Sequence, residues 1–523
     1  MKDTNDIHPP RWAERFLSWY CRPELLEDLQ GDLNEYFGRN VKDKGIRRAR
    51  LIYILDVVNF FRSYTIRKPK QFNPMNNLDL LQNNFKTSFR NIQRNKLFAA
   101  INVSGLAVAM CVGLLVIAMV FEIKSFDTFH ENYNRIYRVR NTLNESNGRE
   151  EYASTSLRAA KQIQETVSGI ESATIIRRGF NKDVQYDGKT IPLKGLWADE
   201  SFFKVFTFPF ISGNPSTALS DLNAVVFTEK TAEKLFGSID IVGKSVQIDS
   251  TNYTISAIIK DPPTNSHLRF DILGSFKTID SRKLAANDKD WLKWDEMWST
   301  YIYVTLPSED NEASIRQSLS SLSTKENKII TNHSIELQLQ PLNEVVLNNG
   351  LSMEIGPSQN IGLLWTLGVF AFIVIASACF NYTNLSIARA LRRTREVGIR
   401  KVAGASRFQV FQQFILESLL LSFISLILSY FLFVLIREEF ISMDNTFQEM
   451  ITLRPTLNVY LYFICFASCV GILAGLLPAL FFSKVNAIQV LKDLSSVKLF
   501  KHINLRKGLI IFQYSFSLLF IVA

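Results

Sequence analysis

The sequence predicts a multi-pass α-helical membrane protein that carries an α+β extracytoplasmic domain and a small N-terminal helical domain. Three observations carry that prediction. Four runs of 25, 28, 19 and 29 residues hold no charged side chain: 97–121, 361–388, 418–436 and 455–483. The long polar stretch between the first two, residues 122–360, alternates β-like with helix-like segments. Between the second and third runs lies 389–407, where seven Lys/Arg accompany one acid, Glu396, within nineteen residues.

The bulk numbers agree. A chain of 523 residues is too long for one core. Its 47% hydrophobic content and mean hydropathy of +0.06 average two populations, apolar runs and an ordinary polar middle. The net charge of +10 comes from basic residues crowded beside the apolar runs. That is the pattern of flanks attracted to anionic membrane lipid and not of a nucleic-acid binder. Of the five cysteines, none lies in the polar middle, so no disulfide framework is expected there. Met1 to Pro10 is polar and precedes no signal-peptide core.

Each apolar run meets the ~20 residues needed to cross ~30 Å of hydrocarbon. They define TM1 at 97–121, TM2 at 361–388, TM3 at 408–436 (Glu417 lies within it) and TM4 at 455–483. Basic clusters precede TM1, fill the 389–407 loop and follow TM4, while 437–457 carries two Arg against four acids. The Lys/Arg bias therefore places the N-terminus inside, 122–360 outside, 389–407 inside and 437–457 outside. Gly508 to Ala523 adds 16 apolar residues, a helix of ~24 Å. The readings open there are an incomplete TM5 in a chain cut short and a re-entrant or interfacial helix.

Before TM1, residues 8–66 repeat apolar positions at helical spacing and predict about three short helices, with Gly31 weakening the middle one. Residues 67–78 read as a linker. In 78–96, Leu81, Phe85, Phe89 and Ile92 share one helix face while Lys86, Arg90 and Arg94 lie away from it. This is either an interfacial helix on the inner membrane surface or a coat helix on the adjacent bundle.

Within 122–360, strands are expected at 135–140, 224–227, 244–248, 253–259, 301–306 and 334–339, and helices at 157–167, 229–236 and 312–322. Trp291, Trp294 and Trp298 either pack in the core or line a ligand groove.

Catalytic and metal constellations are missing from the pattern. Five residues lie between Gly237 and Gly243, before Lys244, where a phosphate-cradling loop needs four. The five histidines are scattered, with no metal-site spacing. No enzyme activity, cofactor or metal is expected. Glu417, the one carboxylate within an apolar run, either snorkels or pairs with a nearby Arg, or else serves a proton relay.

One span, a large outer domain and three spans around a basic loop resemble one half of a MacB/FtsX-type ABC transporter permease. The motif Arg395-Glu-Val-Gly-Ile-Arg-Lys-Val-Ala-Gly-Ala-Ser406, followed by Gln412-Gln-Phe-Ile-Leu-Glu417, looks like the family's inner loop and third-span start. Gly475-Leu-Leu-Pro-Ala479 with Asn486-Ala-Ile-Gln-Val-Leu-Lys492 looks like its fourth-span exit. Phe126-Asp-Thr-Phe-His-Glu-Asn-Tyr-Asn-Arg-Ile-Tyr-Arg-Val139 and Asp261-Pro-Pro-Thr-Asn-Ser-His267 resemble its periplasmic core domain, and 9–63 its N-terminal prefix domain. Long members carry a second such half, and 505–519 resembles the opening of one.

The resemblance implies a multi-pass protein of the bacterial inner membrane, driven by a separate cytoplasmic ABC ATPase subunit. Its permease halves would pair as a dimer, and a periplasmic adaptor or outer-membrane channel would join them. Arg395, Glu396, Gly398, Arg400, Lys401, Gly404 and Ala405 would form the ATPase-coupling loop, with Arg400 and Lys401 pairing with acids on the ATPase. Val397, Ile399, Val402 and Ala403 give that loop its apolar side. The function implied is efflux of a peptide, antibiotic or lipid-linked substrate. The alternative is an FtsX-like signalling protein that switches an extracytoplasmic partner without transport.

Overall fold

The computed structural model describes residues 8–21, 23–61, 65, 74–146, 148–308, 311–330, 332–484 and positions 508, 511, 514, 515 and 518. Most of the linker, the 486–492 motif and most of the run at 508–523 lie outside the described residues. The chain forms two compact units, Met1–Lys86 and Thr87–Ala523.

The first unit holds α1 (Arg11–Tyr20), α2 (Pro23–Lys44) and α3 (Ile46–Asn59). Ala13, Leu17 and Tyr20 fall on one face of α1 and pack with Leu33, Phe37, Tyr53 and Val57. The Tyr20 hydroxyl donates to the Val57 carbonyl at 2.6 Å, which satisfies its buried polar end. Gly31 does not break α2, because a helix interior tolerates glycine at a cost of about 1 kcal/mol. Gly45, at φ +81°, makes the turn from α2 to α3.

Helix α4 (Pro74–Arg94) straddles the division between the units, and α5 (Lys96–Lys124) follows it after one residue. The outer domain then begins. Its strands are β1 (Ile136–Glu145), β2 (Gly148–Tyr152), β3 (Ser172–Arg177), β4 (Lys182–Tyr186), β5 (Lys189–Leu193), β6 (Gly195–Ala198) and β7 (Phe210–Ser212). They continue as β8 (Ala224–Thr228), β9 (Ser245–Ile248), β10 (Thr251–Ile259), β11 (Ile272–Ser275), β12 (Thr300–Thr305) and β13 (His333–Pro341). Helices α6 (Leu157–Thr166), α7 (Phe202–Val205), α8 (Glu229–Phe236), α9 (Phe276–Ala285) and α10 (Glu312–Glu326) intervene.

The strands join one sheet in the order β13-β1-β12-β3-β6-β11-β8-β10-β9-β4-β5, with β2 on β1 and β7 on β10. Both faces are covered. Along β12, Ile302 and Val304 enter one core while Tyr301 and Tyr303 enter the other, as the period of two requires. The six strands expected from the sequence coincide with β1, β8, β9, β10, β12 and β13. Trp291 and Trp294 are core residues whose indoles donate to Asp280 and Asn327, so neither lines a groove.

After the short pair β14 (Leu347–Asn348) and β15 (Gln359–Asn360) come α11 (Ile361–Ala388), α12 (Ala390–Val402), α13 (Arg407–Ser442), α14 (Asn445–Met450) and α15 (Leu457–Ser483). Among the described residues four helices, α5, α11, α13 and α15, are long and apolar enough to cross a membrane. Helix α13 is one unbroken element of 36 residues, so Arg437, Glu438 and Glu439 are helical and not part of a loop. Small residues bring α13 and α15 together. A Cβ on Gly475 would collide with Ser418, and one on Gly471 would come within 3.0 Å of the Leu419 backbone.

Candidate coupling site at α12

Helix α12 is short, and both its ends are defined by local chemistry. At its C-terminus Gly404 takes φ +97°, a conformation glycine adopts without a Cβ clash. The Gly404 and Ala405 amides donate back to the Lys401 and Arg400 carbonyls at 3.1 and 3.0 Å. Ser406 then opens α13 through a reciprocal capping box with Gln409. The passage from α12 to α13 is thus a tight, specified corner.

Four polar ties hold α12 to its surroundings. Arg389, at its N-cap, donates to Asn95 Oδ1 at 3.0 Å and stacks 4.5 Å over the Phe98 ring. Arg393 grips Glu417 with both terminal nitrogens at 2.6 Å, and Asn91 adds a third donor to that carboxylate at 3.1 Å. Arg400 reaches Glu396 at 2.8 Å and also Gln413. Lys401 Nζ donates to the Ser483 carbonyl at 2.7 Å, capping the end of α15. Val397 closes the inner side against Val410, Phe414, Ala479 and Phe482.

These contacts revise two expectations. Arg400 and Lys401 are engaged within the chain, so their pairing with acids on a partner is not what their geometry presents. The four apolar residues do not form one side either. Helix geometry of ~100° per residue places Ile399 and Val402 about 200° and 140° from Val397. Val397 is buried, whereas Ile399, Val402 and, just past the corner, Phe408 are more than half exposed. Arg395, Glu396 and Gly404 are exposed beside them, Gly398 is buried, and Ala405 is half-buried.

Glu417 is the partner of an arginine, one of the readings open for it. Asn95, the residue that follows α4, and Asn91, on α4, went unnoticed in the sequence, because each meets its partner only through tertiary packing. Helix α4 presents the Asn91 amide inward and leaves Phe85 and Phe89 exposed.

At the opposite end of α5 the outer domain is anchored by a buried polar network. Asp127, at φ +60°, takes the His267 amide at 3.1 Å, with its other oxygen 2.8 Å from His267 Nδ1. His267 Nε2 in turn meets the Tyr303 hydroxyl at 2.9 Å. His130 accepts the Thr207 amide through Nδ1 at 3.1 Å, and burial pushes its pKa down to about 4, against the pull of Asp127. Glu122 accepts three bonds of 2.8 Å from Thr452 and Leu453, and Arg269 donates to the Glu449 carbonyl. The segment leading into α11 is held by Arg138, fully buried and bidentate to Glu354 at 2.6 and 3.0 Å.

Comparison with known proteins agrees with this architecture. Residues 99–322 match the model of the MacB-like periplasmic core domain, and residues 368–490 that of the FtsX-like permease C-terminal region. The chain is 22% identical over 300 residues to the macrolide export ATP-binding/permease protein MacB of Pasteurella multocida, covering 57% of this chain and 42% of that protein. It is 26% identical over 239 residues to the pyoverdine export ATP-binding/permease protein PvdT of Pseudomonas syringae, covering 43% and 32%. The chain thus spans less than half the length of these relatives. Among solved structures, the periplasmic region of MacB from Actinobacillus actinomycetemcomitans aligns at 13% identity and a TM-score of 0.29, covering 43% of this chain and 93% of that one. With both family models falling in order on the outer domain and on the helices that flank α12, the chain belongs to the MacB/FtsX-type ABC transporter permeases.

Proposed function

We propose that this permease transmits the motion of a separate cytoplasmic ATPase to the outer domain, for efflux of a peptide, antibiotic or lipid-linked substrate across the bacterial inner membrane. The observation that carries the reading is the division of α12 into an inner side clamped to the helices and an outer side bearing exposed Ile399 and Val402, with exposed Phe408 just past the corner on α13. An apolar patch rimmed by Arg395, Glu396 and Arg407 suits a protein partner. The clamps make α12 part of a packed unit, so a displacement there moves α13 and α15 as a rigid body. In this reading α12 faces the cytoplasm and residues 125–360 face outward, as the Lys/Arg bias favours.

Co-purification of the full chain from its native membrane tests this. The unaltered protein brings down an ABC ATPase, and Ile399→Asp with Val402→Asp loses it at unchanged membrane abundance. An eluate without any ATPase, or a variant that retains it in full, overturns the proposal. An adaptor or outer-membrane channel in the same eluate supports efflux. A cell-wall hydrolase in their place supports switching of an extracytoplasmic partner.

A further inference from the structure

The N-terminal unit exposes apolar surface that its own core does not use. On α3, Ala49, Tyr53 and Val57 are buried, while Leu51, Leu55 and Val58 are more than half exposed and lie about 140–160° from Tyr53 at ~100° per residue. On α1, Trp12 and Trp19 are 59% and 71% exposed and share the face next to Arg11 and Arg15. Phe16 stacks on Trp19 at 6.0 Å and on Phe61 at 6.2 Å, joining that face to the end of α3. Arg47 and Arg48 flank the α3 stripe on either side, both exposed.

Charge is sorted to match. Helices α1 and α3 carry five arginines against two acids, whereas α2 carries six acids against three bases. Tryptophan beside leucine, rimmed by arginine, is the chemistry of a surface that settles among lipid headgroups, rings at the interface and guanidinium groups on phosphate. Thirty-four residues separate Phe61 from Lys96, where α5 begins, so the unit is tethered at the membrane. We propose that the α1–α3 face of the N-terminal unit docks on an anionic membrane surface, with the acidic α2 turned to water. This rests on the chain being a membrane permease and is independent of any ATPase.

A nitroxide on Leu55→Cys, in the full chain with exposed Cys465 and Cys469 replaced by serine, reads the docking. In vesicles of phosphatidylcholine mixed with phosphatidylglycerol, the label is expected to be accessible to oxygen and shielded from a water-soluble nickel chelate. In phosphatidylcholine alone it becomes nickel-accessible. Arg47→Glu with Arg48→Glu weakens docking about fivefold or more per arginine. The same label on Glu35→Cys, on α2, stays in water throughout. Nickel access at position 55 in both lipids overturns the proposal, as does shielding that persists in detergent and rises with protein concentration, the signature of a second copy. Because both leaflets of such vesicles are anionic, failure here is separable from failure of the inside-out assignment.

Discussion

Arg393 on α12 and Glu417 on α13 form a bidentate pair 24 residues apart in sequence, with the carboxylate almost completely shielded and an amide from α4 completing its bonding. Two charges in such a place are costly to separate, because the survivor keeps its desolvation penalty without its partner. Glu417→Ala is therefore expected to destabilise the purified protein by about 3–5 kcal/mol. The double variant Arg393→Met with Glu417→Met should recover most of that loss. Thermal unfolding in detergent measures both, and a single variant as stable as the parent would refute the pairing.

Gly404 should tolerate no Cβ-branched replacement without cost. At φ +97° a valine is strained by about 1–3 kcal/mol, although no neighbour lies within 4 Å of its would-be Cβ. The expected phenotype of Gly404→Val is local: normal membrane insertion, but ATP hydrolysis uncoupled from outer-domain movement. Distances between spin labels on β13 and α15, with and without ATP in the assembled complex, show the difference.

The contact of α13 with α15 depends on Gly475. Leucine there would overlap Ser418 and force the helices apart, an overpacking cost of about 1–3 kcal/mol. Gly475→Leu should lower the unfolding temperature, and Gly475→Leu with Ser418→Gly should regain part of the loss.

Acid should loosen the outer domain through His130. Its folded pKa of about 4 lies below the ordinary 6.5, so the unfolded chain binds the extra proton first. Stability contributed by keeping the ring neutral is full above pH 6.5 and lost as pH falls towards 4, by about 3 kcal/mol at most. His130→Asn, which keeps an acceptor for the Thr207 amide, should flatten that part of the profile. Unfolding midpoints across this pH range decide it.

Much of this was legible in the sequence because membranes impose harsh rules. Four charge-free runs long enough to span became α5, α11, α13 and α15. Outer-domain strands with regular alternation, such as Tyr253 to Ile259, were equally clear. Others were not. Strand β6, Gly-Leu-Trp-Ala, is buried throughout and shows no alternation, and β4 contributes a single buried side chain, Val184. The polar ties of α12 were hidden for another reason: Asn91, Asn95 and Ser483 meet it only through tertiary packing, which periodicity does not encode. The split of Val397 from Ile399 and Val402 was readable from helix angle alone.

The uninterrupted run of α13 has a geometric consequence. Thirty-six residues rise about 54 Å, well beyond the ~30 Å hydrocarbon layer. Its grip by Arg393 is at Glu417, about 37 Å from the far end, so a pivot of only about 5° there swings that end by about 3 Å. The far end therefore travels much farther than the motion that starts it, and the bracing of Thr452 and Leu453 on Glu122 lies where that travel would be greatest.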